Sequence, residues 1–228
     1  MIDCVEIKTM VDEESGMASV AVTLFGKGDA KLFLEGEIRN VSLGDDGTRE
    51  DFYLLSSRLW QGTVAPELYV LVLEDEEGRK EYPFGLRNIG LDNKRGFFLS
   101  TRPYPLDGEN TLITDKSIDL YSADRSGKVA VFAFRKEAKL NRKAIAEILN
   151  HPSLCFLGFV IEEDTTEEEM RRTNSLLYSL DKTRPTMGIF RRDMKKGEEG
   201  IFDVSLVSSS SPVRGRISAI YDGNGFAM

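Results

Sequence analysis

Histidine and tryptophan each occur once among the 228 residues and cysteine only twice, and each scarcity removes a class of chemistry. Zinc is held by histidines and cysteines at short spacings, and His151, Cys4 and Cys155 offer no such set. The two cysteines lie far apart, and Cys155 falls inside an apolar run, so no disulfide is expected and nothing requires an oxidising compartment. No apolar run approaches the ~18 residues of a membrane span, and the opening "MIDCVEIKTM" has neither a basic segment nor a long apolar one. The expectation is a cytoplasmic protein with no membrane partner, no metal and no cofactor. A formal net charge of −8 argues against a nucleic-acid partner as well, since gripping a phosphate backbone takes a basic face.

What is present divides into two textures. Residues 1–93 read as about seven short strands, among them "CVEIKTMV", "MASVAVTLF", "AKLFLEGEIRN", "EDFYLLSS" and "LYVLVLEDEEGRKEYPFGLR", rich in β-branched and aromatic residues with partial period-two alternation. Turn material separates them at Glu14-Ser15-Gly16, Gly26-Lys27-Gly28-Asp29, Gly44-Asp45-Asp46-Gly47 and Glu76-Glu77-Gly78. That pattern predicts a β-sandwich of immunoglobulin type, without the antibody disulfide and with Trp60 as a core or sandwich-end anchor.

From residue 94 to 228 strands alternate with helices. "GFFLSTRPYPLDG" reads as a strand pair or a strand and its loop, "KSIDLYSADRSG" as a short helix ending at Gly127, and "KVAVFAF" as a buried strand. "RKEAKLNRKAIAEILN" is amphipathic, with Leu140, Ala144, Ile145, Ile148 and Leu149 on one face. Then follow "SLCFLGFVI", a helix in "TTEEEMRRTNSLLYSL", and the strands "TMGIF" and "FDVSLVS". This order predicts a largely parallel sheet, and the whole chain is of the α+β multidomain class.

The strand "SLCFLGFVI" ends in Glu162, Glu163 and Asp164. A carboxylate at the C-terminal end of a buried strand is where barrel enzymes keep their acid–base groups. The same acids precede a helix start, where negative charge is favourable for structural reasons alone. Both Thr165-x-x-Glu168 and Thr166-x-x-Glu169 fit a capping box. "FRRDMKKGEEG" reads as an exposed loop of mixed charge. His151-Pro152 reads as structural, with the proline ending a helix and Asn150 or Ser153 satisfying backbone groups.

Several stretches together resemble glycoside hydrolase family 2, the β-galactosidase kind, in which an immunoglobulin-like domain directly precedes a (β/α)8 barrel. "LWQGTVAPELYVLVLED" followed by "FGLRNIGLDNKRGFFLSTRPYPLDGEN" is similar to that junction. "LYSADRSGKVAVFAF" resembles its third barrel strand with the preceding helix, and "NHPSLCFLGFVIEE" its fourth. "LDKTRPT" resembles the loop before the fifth strand, and "FDVSLVSSSSP" a later strand. The resemblance covers residues 1 to 212 in order. It implies a retaining β-glycosidase ancestry, with Glu162 in the place of the general acid–base. The candidate ligand-binding residues are Asp107, Asn110 and Phe134.

The departures from the pattern bear on activity. The family's Asn-Glu pair is Ile161-Glu162 here, its strand tryptophan is Leu157, and its third-strand carboxylate is Phe134. The second barrel strand has no counterpart, because too few residues separate Asn110 from Leu120 for a parallel crossover of a dozen or more. The 133 residues after position 95 (228 − 95) fall short of the ~200–250 of a full barrel, and Asp222 is the one acid in the place of the family's nucleophile. The expected function is therefore that of a catalytically inactive relative that binds a saccharide or a protein. The alternative is an active retaining β-glycosidase in which Glu162 works with a nucleophile from an atypical place, Asp107, Glu109 or another subunit. A shortened parallel sheet leaves edges to be covered, so a homo-oligomer is expected.

Overall fold

The computed structural model describes residues 1–44, 46–92, 96–136, 138, 141–215 and 218–221. Asp222 and Leu140 lie outside them. The chain forms two compact units, Met1–Asn88 with Leu140–Pro152, and Ile89–Lys139 with Ser153–Met228. Where the sequence draws one boundary at residues 93/94, the chain passes between units at 88/89, 139/140 and 152/153.

The first unit holds β1 (Ile2–Asp12), β2 (Met17–Gly26), β3 (Gly28–Leu34), β4 (Glu37–Leu43), β5 (Thr48–Leu54), β6 (Tyr69–Asp75) and β7 (Gly78–Phe84). They form two antiparallel sheets, β1-β2-β5 and β4-β3-β6-β7. Alternate residues point into one shared core: Val20, Val22 and Leu24 from β2, Leu32 and Leu34 from β3, Phe52 from β5, Leu71 and Leu73 from β6. That alternation is the period-two pattern legible in the sequence. One stretch folds differently from its reading. "AKLFLEGEIRN" is two strands rather than one, reversed at Glu35 and Gly36, whose φ values of 46° and 85° are those of a two-residue hairpin.

Helix α2 (Arg142–Asn150) belongs to this unit and packs on β1. Its Asn141 N-cap accepts from the Ala144 N–H at 2.9 Å. Ile148 of the expected apolar face is buried, as is Ala146, while Ala144, Ile145 and Leu149 are half-buried. The Asn150 side chain pairs with the β1 main chain, accepting from the Ile7 N–H at 2.9 Å and donating to the Val5 carbonyl at 2.8 Å. His151 is extended (φ −66°, ψ 124°), as a residue before proline must be, and this ends the helix.

Residues of three motif stretches meet in this unit. Trp60 is fully buried, and its main-chain N–H donates to the Leu86 carbonyl at 2.8 Å. The Arg87 guanidinium lies 5.9 Å from the indole centroid. At Gly85 a Cβ would stand 2.7 Å from Cβ of Pro152 and 2.9 Å from Cβ of Trp60. The glycine is required by close approach.

The second unit begins with a small antiparallel sheet of β8 (Ile89–Asp92), β9 (Gly96–Leu99) and β10 (Arg102–Pro103). A six-stranded sheet follows in chain order: β11 (Thr111–Thr114), β12 (Val129–Phe134), β13 (Leu154–Ile161), β14 (Thr186–Phe190), β15 (Val204–Ser208) and β16 (Ser218–Tyr221). Every neighbouring pair is parallel. All eight residues of β13 are buried, as a strand covered on both faces requires.

Helix α1 (Ser117–Ser126) crosses from β11 to β12 and stops at Gly127 in the left-handed conformation (φ 71°). Helix α3 (Glu167–Leu180) crosses from β13 to β14. Between β14 and β15 the described chain is loop, without a helix. β11 corrects the expectation that no strand fits between Asn110 and Leu120. The crossover length runs after the strand, through α1 to Val129, and there it suffices.

Cys4 and Cys155 are free and buried, each in its own unit. No helix among the described residues is long and apolar enough to cross a membrane.

The close approach at Gly85 gives a direct test. Gly85→Ala places a methyl against two Cβ atoms that cannot rotate away, and overpacking of this kind costs about 1–3 kcal/mol. Urea unfolding should show a lower midpoint with an unchanged slope.

Candidate site at the strand ends

In a parallel sheet all C-terminal strand ends share one edge, and here the residue following each of β11 to β15 is charged or polar: Asp115, Arg135, Glu162, Arg191 and Ser209. Register brings them into line, since Ile161 lies opposite Phe190 and so Glu162 follows beside Arg191. Arg135 Nε donates to Asp115 Oδ2 at 3.0 Å. On its other side Arg135 Nη1 is 3.9 Å from Glu162 Oε1, and Arg191 Nη1 is 3.6 Å from the same oxygen. The order along the edge is acid, base, acid, base. Glu162 remains 47% exposed, so each pair contributes at most ~1 kcal/mol and the arrangement is chiefly charge compensation.

A retaining glycosidase needs two carboxyl groups about 5–5.5 Å apart. The two acids that directly follow described strands, Asp115 and Glu162, stand after β11 and β13, two strand spacings or roughly 10 Å apart, with Arg135 between them. The positions after β14 and β15 are Arg191 and Ser209. Around Glu162, Ile161 and Leu157 are fully buried in place of the family's Asn and Trp. Phe134, at the end of β12, packs edge-on against Phe132 with ring centroids 5.1 Å apart.

Glu162 stands apart from the first turn of α3. Its N–H donates to Thr165 Oγ1 at 2.9 Å, closing a turn, and the helix starts only after Thr166. The acids of the first turn are Glu167, Glu168 and Glu169, and Thr166 with Glu169 makes the capping box. The Glu169 carboxylate also takes Lys136 Nζ at 2.7 Å. Lys136 first, then the Thr166 N–H and hydroxyl, hold its pKa down to about 2.

The loop after β14 departs from its exposed reading. Arg192 and Glu198 are buried and bonded twice, Nη1 to Oε2 at 2.9 Å and Nη2 to Oε1 at 2.7 Å. Burial works against the charged form of Glu198, but Arg192 and the Lys195 N–H outweigh it and hold the carboxyl below its ordinary range. Met194, Ile201 and Phe202 of the same loop are buried as well. A sequence signal existed in the Arg192…Glu198 bracket around Gly197, but it does not reveal burial.

Asp107 and Asn110 lie at the opposite, N-terminal edge of the sheet. Asp107 Oδ1 accepts from the N–H of Glu109 at 3.1 Å and of Asn110 at 2.8 Å, and from Asn110 Nδ2 at 3.0 Å. The Asn110 carbonyl accepts from the Val129 N–H at 3.0 Å, at the start of β12. The fold thus brings Glu162 and Phe134 to one edge, and Asp107 and Asn110 to the other. Arg135 and Arg191 are the site residues that sequence reasoning missed. Among the described residues no cluster of three or more His, Cys, Asp or Glu side chains could hold a metal ion.

No family model and no curated protein matches the sequence. Solved structures do match the fold. The apo β-glucuronidase 3 of Bacteroides uniformis is 18% identical with a TM-score of 0.70, over 90% of this chain and 34% of that one. A β-glucuronidase of an uncultured Clostridium sp. is 18% identical with a TM-score of 0.69, over 91% and 46%. A family 2 β-galacturonidase from Eisenbergiella tayi bound to galacturonate is 18% identical with a TM-score of 0.62, over 91% and 50%. The chain spans between a third and a half of the length of these enzymes and shares the fold of that part. The resemblance to glycoside hydrolase family 2 therefore extends from motifs to architecture.

The Glu169 cap carries a pH signature. A carboxyl whose folded pKa is depressed contributes stability that is present above its unfolded pKa of about 4.5 and lost as pH falls through about 2. Thermal melts should show Glu169→Gln less stable than the parent protein near neutral pH, with the difference closing across that window.

Proposed function

We propose that this chain is a non-hydrolytic relative of glycoside hydrolase family 2, an immunoglobulin-like sandwich followed by part of a barrel, whose role is to bind a saccharide or a protein. The observation that carries this reading is the company of Glu162. Its carboxylate lies beside Arg135 and Arg191, and the next strand-end acid is Asp115, about two strands away on the far side of Arg135. A glycosidase of the retaining kind needs its second carboxyl at half that distance.

The fully buried Ile161 supports the same reading, since a side chain without a donor cannot strengthen a hydrogen bond to a sugar hydroxyl in the transition state. Phe134, at the C-terminal end of β12, offers an aromatic surface for a sugar ring, and the turn at Asp107 and Asn110 is a separate polar surface at the other edge. A homo-oligomer and a cytoplasmic setting remain part of this proposal.

Pure protein incubated with chromogenic β-glucuronides, β-galactosides and β-galacturonides should release no product above the uncatalysed rate. Turnover that Glu162→Gln abolishes would establish the active alternative in its place.

A further inference from the structure

β1 is the edge strand of its sheet: β2 lies on one side, and on the other the main chain meets α2. An open strand edge is a template for another strand unless it is covered. Here the cover is specific. Asn150 supplies one acceptor to Ile7 and one donor to Val5, two main-chain groups that a neighbouring strand would otherwise bond. Arg142, a residue of the same helix, adds an ion pair to Glu6 at 3.4 Å and sets its guanidinium 3.8 Å over the Phe25 ring.

The sequence under this cover is complementary to itself. In an antiparallel pairing centred on Ile7, Val5 faces Thr9, Glu6 faces Lys8, and Cys4 faces Met10. Both Glu6–Lys8 pairs then oppose charges of opposite sign directly across the strands, the favourable arrangement. The hydrogen bonding agrees in phase. The Val5 carbonyl and Ile7 N–H point away from β2, and so Ile7 is a residue that would exchange both main-chain bonds with its symmetry mate. Lys8 is exposed and makes no ion pair among the described residues.

We propose that Asn150 is the latch on a concealed strand-pairing edge, and that the partner this edge fits is β1 of a second copy of the chain. With the latch closed, Arg142 neutralises Glu6 and Asn150 occupies the main chain. With it open, Lys8 of the second copy takes the place of Arg142, and the second β1 takes the place of Asn150. Two three-stranded sheets then become one sheet of six strands about a two-fold axis.

The test uses the full chain. Sedimentation equilibrium should show Asn150→Ala associating at least about tenfold more tightly than the parent protein, because two hydrogen bonds of the latch are gone. In the Asn150→Ala background, Glu6→Lys alone or Lys8→Glu alone should weaken association about tenfold, and both together should restore it. A mixture of the two singly reversed proteins should form heterodimers. Unchanged association in a folded Asn150→Ala protein would overturn the proposal, as would association indifferent to the charge reversals. Should circular dichroism show Asn150→Ala unfolded, the variant to be read is Asn150→Asp, which keeps the acceptor for Ile7 and loses the donor to Val5. A folded Asp variant that associates no more tightly than the parent protein would equally overturn it.

Discussion

The missing side chain at Gly85 is the constraint on which the first unit turns. Pro152 and Trp60 both close to within 3 Å of where a Cβ would stand, so two loops and the residue that follows β7 are packed on one point. These residues are scattered through the sequence as a Leu-Trp, a Gly-x-Arg and a His-Pro-Ser. The same residue, Pro152, sets His151 extended and fixes where α2 stops, which places Asn150 against β1. One backbone approach thus determines a core contact, a helix end and the closure of a sheet edge.

In the second unit the governing fact is a strand with no exposed face. β13 must pair its whole main chain with β12 and β14, and polarity is resolved only at its two ends. At the beginning, Ser153 bonds Asp124 through both N–H and hydroxyl, and Arg184 Nε donates to the Leu154 carbonyl at 2.8 Å. The Arg-Pro of "LDKTRPT" is therefore a strand-end device here. At the other end Glu162 emerges between two guanidinium groups. The strand ends on that side form a line of alternating charge, Asp115, Arg135, Glu162 and Arg191.

Much of this was legible from residue order. Alternation gave the strands of the first unit, glycine turns gave most of their boundaries, and the Thr166-x-x-Glu169 spacing gave the start of α3. What escaped has physical reasons. Glu35 adopts a left-handed backbone that only its hairpin justifies, so "LFLEGEIR" looked continuous. β11 is only four residues long and no periodicity can register in it. The pairing of Arg135 with Glu162 exists because of register between strands far apart in sequence. Arg192 and Glu198 looked like surface charges because a buried pair and an exposed pair read the same in one dimension. The amphipathic stripe of α2 announced a helix but not the sheet it would cover.

The order of synthesis separates the sheet from the helix that covers it. The ribosome finishes the seventh strand by residue 84, yet the residue that closes β1 is number 150. At ~5–20 residues per second, roughly 3–13 seconds separate the two events during synthesis. For that interval the nascent sandwich presents an unprotected edge beside other emerging chains of the same message. Codon usage across residues 85–150, and the chaperones that attend it, thereby become determinants of yield for a protein whose folded form hides the hazard.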